Sequence, residues 1–294
     1  MSSKKNEFRI KNWLMDHPKI NPFNNYFNMY SSPIRLLPTV MIVGFHKTAT
    51  TSLHEYLIQH PNVIEPLRKE IGYFSIFFWR GEMWYRSHFP TIFSKFKQNR
   101  KNKNFVVLDS DPNCSYHPYS PKRIRDRLPN IKLIFVLRNP VDRAWSDFNQ
   151  DLNRNWISKE IFEDKIKDDE NDFDKMIKLL KSEKLQSDYF KEIQRPYLSI
   201  GKYVVHIKKW LKYFSREQIL FLTTDELKSD LDGSLQKIFN FLNIPNQSIL
   251  DLEKKNVGKY EKMNSKTREK LIEYYRPYNL ELETLLNKKF NWNR

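Results

Sequence analysis

The sequence predicts an α/β protein in three layers, a central parallel β-sheet flanked by helices. Three observations predict it. Short, wholly apolar runs such as Leu133 to Leu137 have the composition of strands buried on both faces. These runs alternate with segments of helical period, the arrangement that a parallel sheet covered on both sides requires. The chain has 294 residues, 39% of them hydrophobic and 15% aromatic, so a substantial core can be buried.

The elements follow in order. Residues 1–37 are basic, Asn-rich and aromatic, punctuated by Pro18, Pro22 and Pro33, and read as an extension packed on the surface of a domain spanning 38–294. The first core strand covers about 39–44, and a helix over about 50–59 stops before His60-Pro61. "KNFVVLDSDP" (103–112) is the second strand and "SPKRIRDRLP" a short helix. The run Leu133 to Leu137 is followed by Asn139 as N-cap and Pro140 at a helix start. Residues 151–192 are charged and helical in pattern. In "GKYVVHIKKWLKYF" (201–214), Val204, Ile207, Leu211 and Phe214 share one helix face. "QILFLTTDEL" is a strand leading to a helix start, and "LQKIFNFLNIP" is a helix closed by Pro245. Residues 265–290 are helical, with Pro277 marking a break.

The formal charge of +16 and a pI near 9.6 suit polyanions: nucleic acid, anionic glycans, acidic membranes or a phosphorylated cofactor. A lysine-biased, solvated surface accounts for the same charge equally well. Cys114 is the single cysteine, which excludes an intramolecular disulfide and fits a reducing compartment. The first twenty residues lack the apolar core of a signal peptide, and no run approaches the ~18 apolar residues of a membrane span. The expectation is a cytoplasmic protein, or a soluble piece separated from an anchor. His46, His54, His60, His88, His117 and His206 show no metal-ligand spacing, so no metal is expected.

"MIVGFHKTATTSLHEYL" (41–57) carries the chemistry. An apolar run meets Gly44, and a polar turn leads into a helix, the grammar of a site that holds phosphate on backbone N–H groups at a helix N-terminus. This makes the fold P-loop-type. The nucleoside-triphosphate version reads G-x-x-x-x-G-K-[ST]. Here Ala49 and Thr50 replace its second Gly and its Lys, Thr51 keeps the hydroxyl, and Lys47 stands mid-loop. Such a loop suits a 5′-phosphate group that needs no metal, or it is an ordinary strand-to-helix turn. In "LIFVLRNPVDRAWSDF" (133–148), Arg138 leaves the carboxyl end of a buried strand and Ser146 lies two turns into the next helix. The pair can bind a second phosphate; alternatively Arg138 is a structural partner of Asp142 or Asp147. A nucleotide with a 5′-phosphate-type group and a separate 3′-phosphate would need both sites.

With these residues in view, the chain resembles the sulfotransferases that use 3′-phosphoadenosine 5′-phosphosulfate (PAPS), and among them the heparan sulfate group, above all its N-sulfotransferase domain. "GFHKTATTSLHEYLIQHP" looks like the 5′-phosphosulfate loop and "RNPVDRAWSDF" like the 3′-phosphate motif. "KEIGYF" (69–74) matches the segment carrying the family's Glu base, and "GKYEKM" (258–263) resembles its late basic loop. "WYRSHFP", "GKYVVHIKKWL" and "QILFLTTDEL" follow the family's order, so the resemblance covers about 39–290.

The resemblance implies transfer of a sulfuryl group from PAPS to an acceptor hydroxyl or amine, leaving adenosine 3′,5′-bisphosphate. The implied acceptor is a carbohydrate, with neither nucleic acid nor a membrane span as partner; the oligomeric state stays open. Lys47 would neutralise charge as the S–O bond breaks, and Glu70 would take the acceptor's proton, with Lys69 beside it. Lys47, Thr48, Ala49, Thr50 and Thr51 would cradle the 5′-phosphate, Arg138 and Ser146 the 3′-phosphate, with Gly258 and Lys259 over the phosphates and Tyr203 on the adenine side. From the residues alone Glu70 reads as a surface ion pair with Lys69 or Arg68. Two departures stand out: Ala49 where the family has Gly, and Asp109-Ser110-Asp111 where relatives carry Glu-Lys-Ser. A degenerate relative that binds cofactor without turnover remains a further reading. Two rival classes are a P-loop kinase or nucleoside triphosphatase, weakened by the missing Lys-[ST] pair, and a non-catalytic basic nucleic-acid-binding protein, for which no module signature exists.

Overall fold

The computed structural model describes residues 28–93, 104–154, 196–249 and 261–293. Five parallel strands form its sheet: β1 (Val40–Ile42), β2 (Val63–Ile64), β3 (Val106–Ser110), β4 (Lys132–Leu137) and β5 (Ile219–Thr223), in the order β2-β3-β1-β4-β5. Helices α1 (Thr50–Leu57), α2 (Gly81–Arg86), α3 (Ser120–Arg127), α4 (Pro140–Asn153), α5 (Tyr203–Trp210), α6 (Thr224–Ser229), α7 (Leu231–Leu242) and α8 (Ser265–Leu286) accompany it, with short 3-10 turns between several of the elements. The three-layer α/β class expected from the sequence is the architecture found.

Strand period divides the core. Val40, Ile42, Leu108, Ile134 and Val136 pack on one face with Leu53 and Leu57 of α1 and Leu235, Ile238 and Phe239 of α7. Met41, Val43, Leu133, Phe135 and Leu137 pack on the other with Tyr203, Ile207 and Trp210 of α5. Ile42 lies in register with Ser110 and Ile134, so the carboxyl ends of β3, β1 and β4 open onto one edge.

Local signals explain most boundaries. The Asn139 side chain accepts from the Val141 N–H at 3.0 Å, capping α4 as expected. Thr223 and Glu226 form a reciprocal capping box at α6. The two-residue strand β2 was not anticipated, since Val63-Ile64 is too short to show a period. The break expected at Pro277 does not occur: α8 runs through it from Ser265 to Leu286. Leu271, Tyr275, Leu282 and Leu286 are buried on both sides of the proline. Their burial outweighs the roughly 3 kcal/mol cost of an internal proline.

The end of the N-terminal extension is built into the domain. Arg35 is buried, with its guanidinium donating to the Phe89 carbonyl and, at 2.6 Å, to Asn28 Oδ1. Backbone bonds from Leu36 to Pro90 (3.0 Å) and from Ile92 to Ile34 (2.9 Å) add to the contact. Residues 1–27 and most of the charged stretch 151–192 lie outside the described residues.

Candidate active site

In an open parallel sheet the crevice beyond the strands' carboxyl ends receives ligands, and the loop leaving β1 stands in it. Crowding dictates Gly44. A Cβ there would lie 2.5 Å from Thr50 Cγ2, 3.2 Å from Thr48 Oγ1 and 3.3 Å from the Val136 nitrogen. The Thr48 hydroxyl donates to the Phe45 carbonyl at 2.7 Å and the residue is fully buried, so its hydroxyl is spent inside the loop. Lys47 and Ala49 both have φ of 66°, with Thr48 between them on the ordinary side. Such alternation is the backbone pattern of anion-binding nests. Ala49 is also the N-cap of α1 and provides no side-chain cap, which leaves the first-turn N–H groups and the positive helix end for an anion. Thr50 is buried and Thr51 half-buried in that first turn.

Neighbouring strands clamp this loop. Arg138, at the end of β4, donates from Nη1 to the Lys47 carbonyl at 3.1 Å. The Thr224 hydroxyl lies 3.1 Å from the Leu137 carbonyl and 3.4 Å from that of Thr48. Tyr203 stands behind the site at 1% exposure, its ring 4.5 Å from Phe45 and its hydroxyl donating to the Arg138 carbonyl at 2.9 Å. Burial pushes its phenol up to about 12, so it acts as a donor. The geometry makes Tyr203 a support for Arg138, with no ring face open. The alternative ion pairs for Arg138 are otherwise engaged: Asp142 pairs with Arg268 at 2.6 Å and Asp147 with Arg143 at 3.1 Å.

Ser146 lies on the buried side of α4. Its neighbour Trp145 donates from Nε1 to the Glu261 carbonyl at 2.9 Å, which returns the segment after Gly258 and Lys259 to this helix. Gly258 and Lys259 themselves lie outside the described residues.

Glu70 arrives on the loop after β2. Its φ of 54° is strained for a residue with a Cβ. Two features hold the loop. The Gly72 carbonyl accepts from Ile76 and Phe77 (2.9 and 2.8 Å), and the Ser75 hydroxyl donates to Asp111 Oδ2 at 2.6 Å. Lys69 Nζ lies 3.7 Å from Glu70 Oε1, so the ion pair read from sequence does form, while the Glu70 side chain stays 39% exposed and reachable. Burial depresses the Lys69 ammonium, opposed by the charges of Glu70 and of Glu55 on α1. Through Ser75 and Asp111 the loop that carries Glu70 is tied to the carboxyl end of β3.

Sequence reasoning missed what lies beneath it. Asp109 accepts from the Tyr85 hydroxyl and the Ser110 N–H, both at 2.7 Å, and burial pushes its carboxyl up to about 7. Asp111, also raised by burial, accepts from Ser75, Cys114 and the Asn113 N–H. The Ser110 hydroxyl is buried and makes no hydrogen bond among the described residues. Two aspartates spaced by two at the end of an apolar strand share one face, a signal the sequence contains. His46 Nε2 lies 2.9 Å from Asn113 Oδ1, which also accepts from Tyr116. No group of three His, Cys, Asp or Glu side chains among the described residues could hold a metal ion, and no described helix is long and apolar enough to cross a membrane.

Comparison with known proteins adds to this geometry. A family model described as "Sulfotransferase domain" matches residues 37–276. The "Bifunctional heparan sulfate N-deacetylase/N-sulfotransferase 1" of Caenorhabditis briggsae is 32% identical over 215 residues, covering 71% of this chain and 23% of that protein. The "Heparan sulfate glucosamine 3-O-sulfotransferase 3B1" of Mus musculus is 29% identical over 224 residues, covering 76% of this chain and 50% of that protein. The chain thus spans half or less of the length of these two relatives. Among solved structures, a sulfotransferase from Alicyclobacillus acidocaldarius superposes with a TM-score of 0.66 at 23% identity, over 88% of this chain and 100% of that one, a likeness of fold.

Proposed function

Because this chain belongs to the sulfotransferase domain family, we propose that it transfers a sulfuryl group from PAPS to a hydroxyl or amine of a carbohydrate. The observation that carries the reading is the loop Gly44 to Thr51, crowded enough to demand glycine, ending in an uncapped helix N-terminus and tied through the Lys47 carbonyl to Arg138. These residues fit the cofactor. The nest and helix end suit the 5′-phosphate, and Arg138 with Ser146 suits the 3′-phosphate on the neighbouring strand. Bound PAPS supplies an activated sulfuryl group.

The chain's own residues do the rest by positioning and charge. The Lys47 ammonium neutralises charge developing beside the loop. The Glu70 carboxylate removes the acceptor proton, and Lys69 holds that carboxylate in place. Tyr203 fixes the carbonyl of Arg138. The relatives named for heparan sulfate motivate the carbohydrate acceptor, and the charge of +16 is compatible with an anionic one.

Calorimetric titration with adenosine 3′,5′-bisphosphate, against AMP and ATP and without added metal, tests the reading. Micromolar binding that requires the 3′-phosphate is expected. Equal binding of ATP, or none of the bisphosphate, would refute it.

A further inference from the structure

A relay of hydrogen bonds beneath the site joins the phosphate loop to the loop that carries Glu70. It starts at His46, which directly precedes Lys47 and whose Nε2 lies 2.9 Å from Asn113 Oδ1. Asn113 donates to Asp111 Oδ1, from its side chain at 3.3 Å and from its backbone N–H at 3.1 Å. The other carboxylate oxygen, Oδ2, accepts from the Ser75 hydroxyl at 2.6 Å, and that hydroxyl lies 3.3 Å from the Gly72 carbonyl. The same carbonyl closes the turn after Glu70 by accepting from the Ile76 and Phe77 N–H groups. Each oxygen of one carboxylate thus serves one of the two loops.

A carboxylate at 1% exposure is costly unless its oxygens are satisfied, and here both are. The Asp111 N–H bonds to the carbonyl of Ile42 at 3.1 Å, so its backbone is fixed at the root of the phosphate loop. Burial pushes the Asp111 carboxyl up, the bonds from Ser75 and Cys114 oppose the rise, and the Glu70 charge adds to it. The two carboxylates therefore lie within electrostatic reach of each other. In the resembling chains a Ser stands here, with one oxygen where Asp111 has two. Both loops joined in this way are strained: Lys47 and Ala49 have φ of 66° and Glu70 of 54°. Such conformations persist only where the surroundings hold them, and an anion on the N–H groups of the nest is one such hold.

We propose that Asp111 is a positioning residue that couples the two loops. An anion seated in the loop from Gly44 to Thr51 fixes His46 and Asn113, and Asp111 passes that order through Ser75 to the turn that aims Glu70. The base is then held in place once the sulfuryl donor is bound. The inference rests on the PAPS reading, which makes the nucleotide the ordering ligand.

The test is backbone hydrogen exchange over residues 70–77, followed by mass spectrometry without and with saturating adenosine 3′,5′-bisphosphate. In wild type the bisphosphate is expected to slow exchange at Ile76 and Phe77 on the order of fivefold or more. Asp111→Asn and Ser75→Ala should still bind the bisphosphate by calorimetry, yet lose that slowing. Tyr85→Phe removes a buried hydrogen bond to Asp109 on the same strand, outside the relay, and should keep it. Three outcomes overturn the coupling: no slowing in wild type that binds the bisphosphate, slowing retained in Asp111→Asn or Ser75→Ala, or slowing lost equally in Tyr85→Phe. Should Asp111→Asn fail to fold, Ser75→Ala decides alone, because it cuts the relay and leaves the buried carboxylate in place. Failure of wild type to bind the bisphosphate would instead defeat the PAPS reading, and the coupling with it.

Discussion

Acidification from pH 7 to pH 5 is expected to bring this protein close to unfolding, because four imidazoles are buried neutral. Burial holds His54, His117 and His206 at about 3 and His88 at about 4, against an ordinary 6.5. The contacts agree with the neutral form: His117 Nδ1 accepts from the N–H groups of Tyr119 and Ser120, both at 3.2 Å, which a protonated ring could not do. Below pH 6.5 the unfolded chain takes up protons that the folded one refuses. The stabilisation is therefore complete above 6.5 and is lost as pH falls toward 3–4. At pH 5 the loss is about 2 kcal/mol per histidine, or about 8 kcal/mol together, comparable with the whole stability of a typical domain. Asp109 acts oppositely. Its carboxyl rises from 3.8 to about 7 on folding, so the folded state binds more protons between those values and acid favours it, by about 3 kcal/mol at pH 5. A net loss of about 5 kcal/mol remains. Urea unfolding followed by far-UV circular dichroism at pH 7.5, 6 and 5 measures it. The midpoint should fall steeply below pH 6, and more steeply in Asp109→Asn, which lacks the opposing group. A midpoint that is flat or rising toward pH 5 would refute the argument.

Four further predictions concern the site. An L-residue in the left-handed region costs roughly 1–2 kcal/mol and glycine roughly 0.5–1 in unfolded-state entropy. Ala49→Gly, at φ 66°, should therefore raise the melting temperature by about 1–4 °C; a lower one would contradict the strain. Gly44→Ala forces a Cβ to 2.5 Å from Thr50 Cγ2 and should cost about 1–3 kcal/mol together with bisphosphate affinity, so wild-type melting and binding would speak against the crowded cradle. Glu70→Gln should lower turnover by about a hundredfold or more while melting and bisphosphate binding persist, and full activity would remove Glu70 from the mechanism. Tyr203→Phe deletes the 2.9 Å bond to the Arg138 carbonyl and should weaken bisphosphate binding by about threefold to tenfold; unchanged affinity would leave Tyr203 a packing residue only.

Much of the site was legible because its signals are local. The apolar run into Gly44, the Lys47 position and the Asn139-Pro140 helix start each depend on neighbours a few residues away. Glu70 was different. Its residues read as an ion pair with Lys69, and that pair forms at 3.7 Å; a role as base entered through resemblance. Ala49 stands where the resembling loops have Gly, and its left-handed φ of 66° accords with that; nothing in the sequence revealed that Pro277 is carried through α8 by burial on both sides, or that Val63-Ile64 pairs as an edge strand.

By itself the sequence determined the strand-and-helix alternation, the parallel character of the sheet and the strand-to-helix placement of the loop from Gly44 to Thr51, since these follow from period, capping and residue type. Tertiary structure alone decided which loops meet. The contacts that assemble the site join Lys47 to Arg138 across 91 residues, Ser75 to Asp111 across 36 and Trp145 to Glu261 across 116. Such pairings are selected by burying the whole sheet in the order β2-β3-β1-β4-β5. That is a cooperative choice over the entire chain, and no short stretch of residues encodes it.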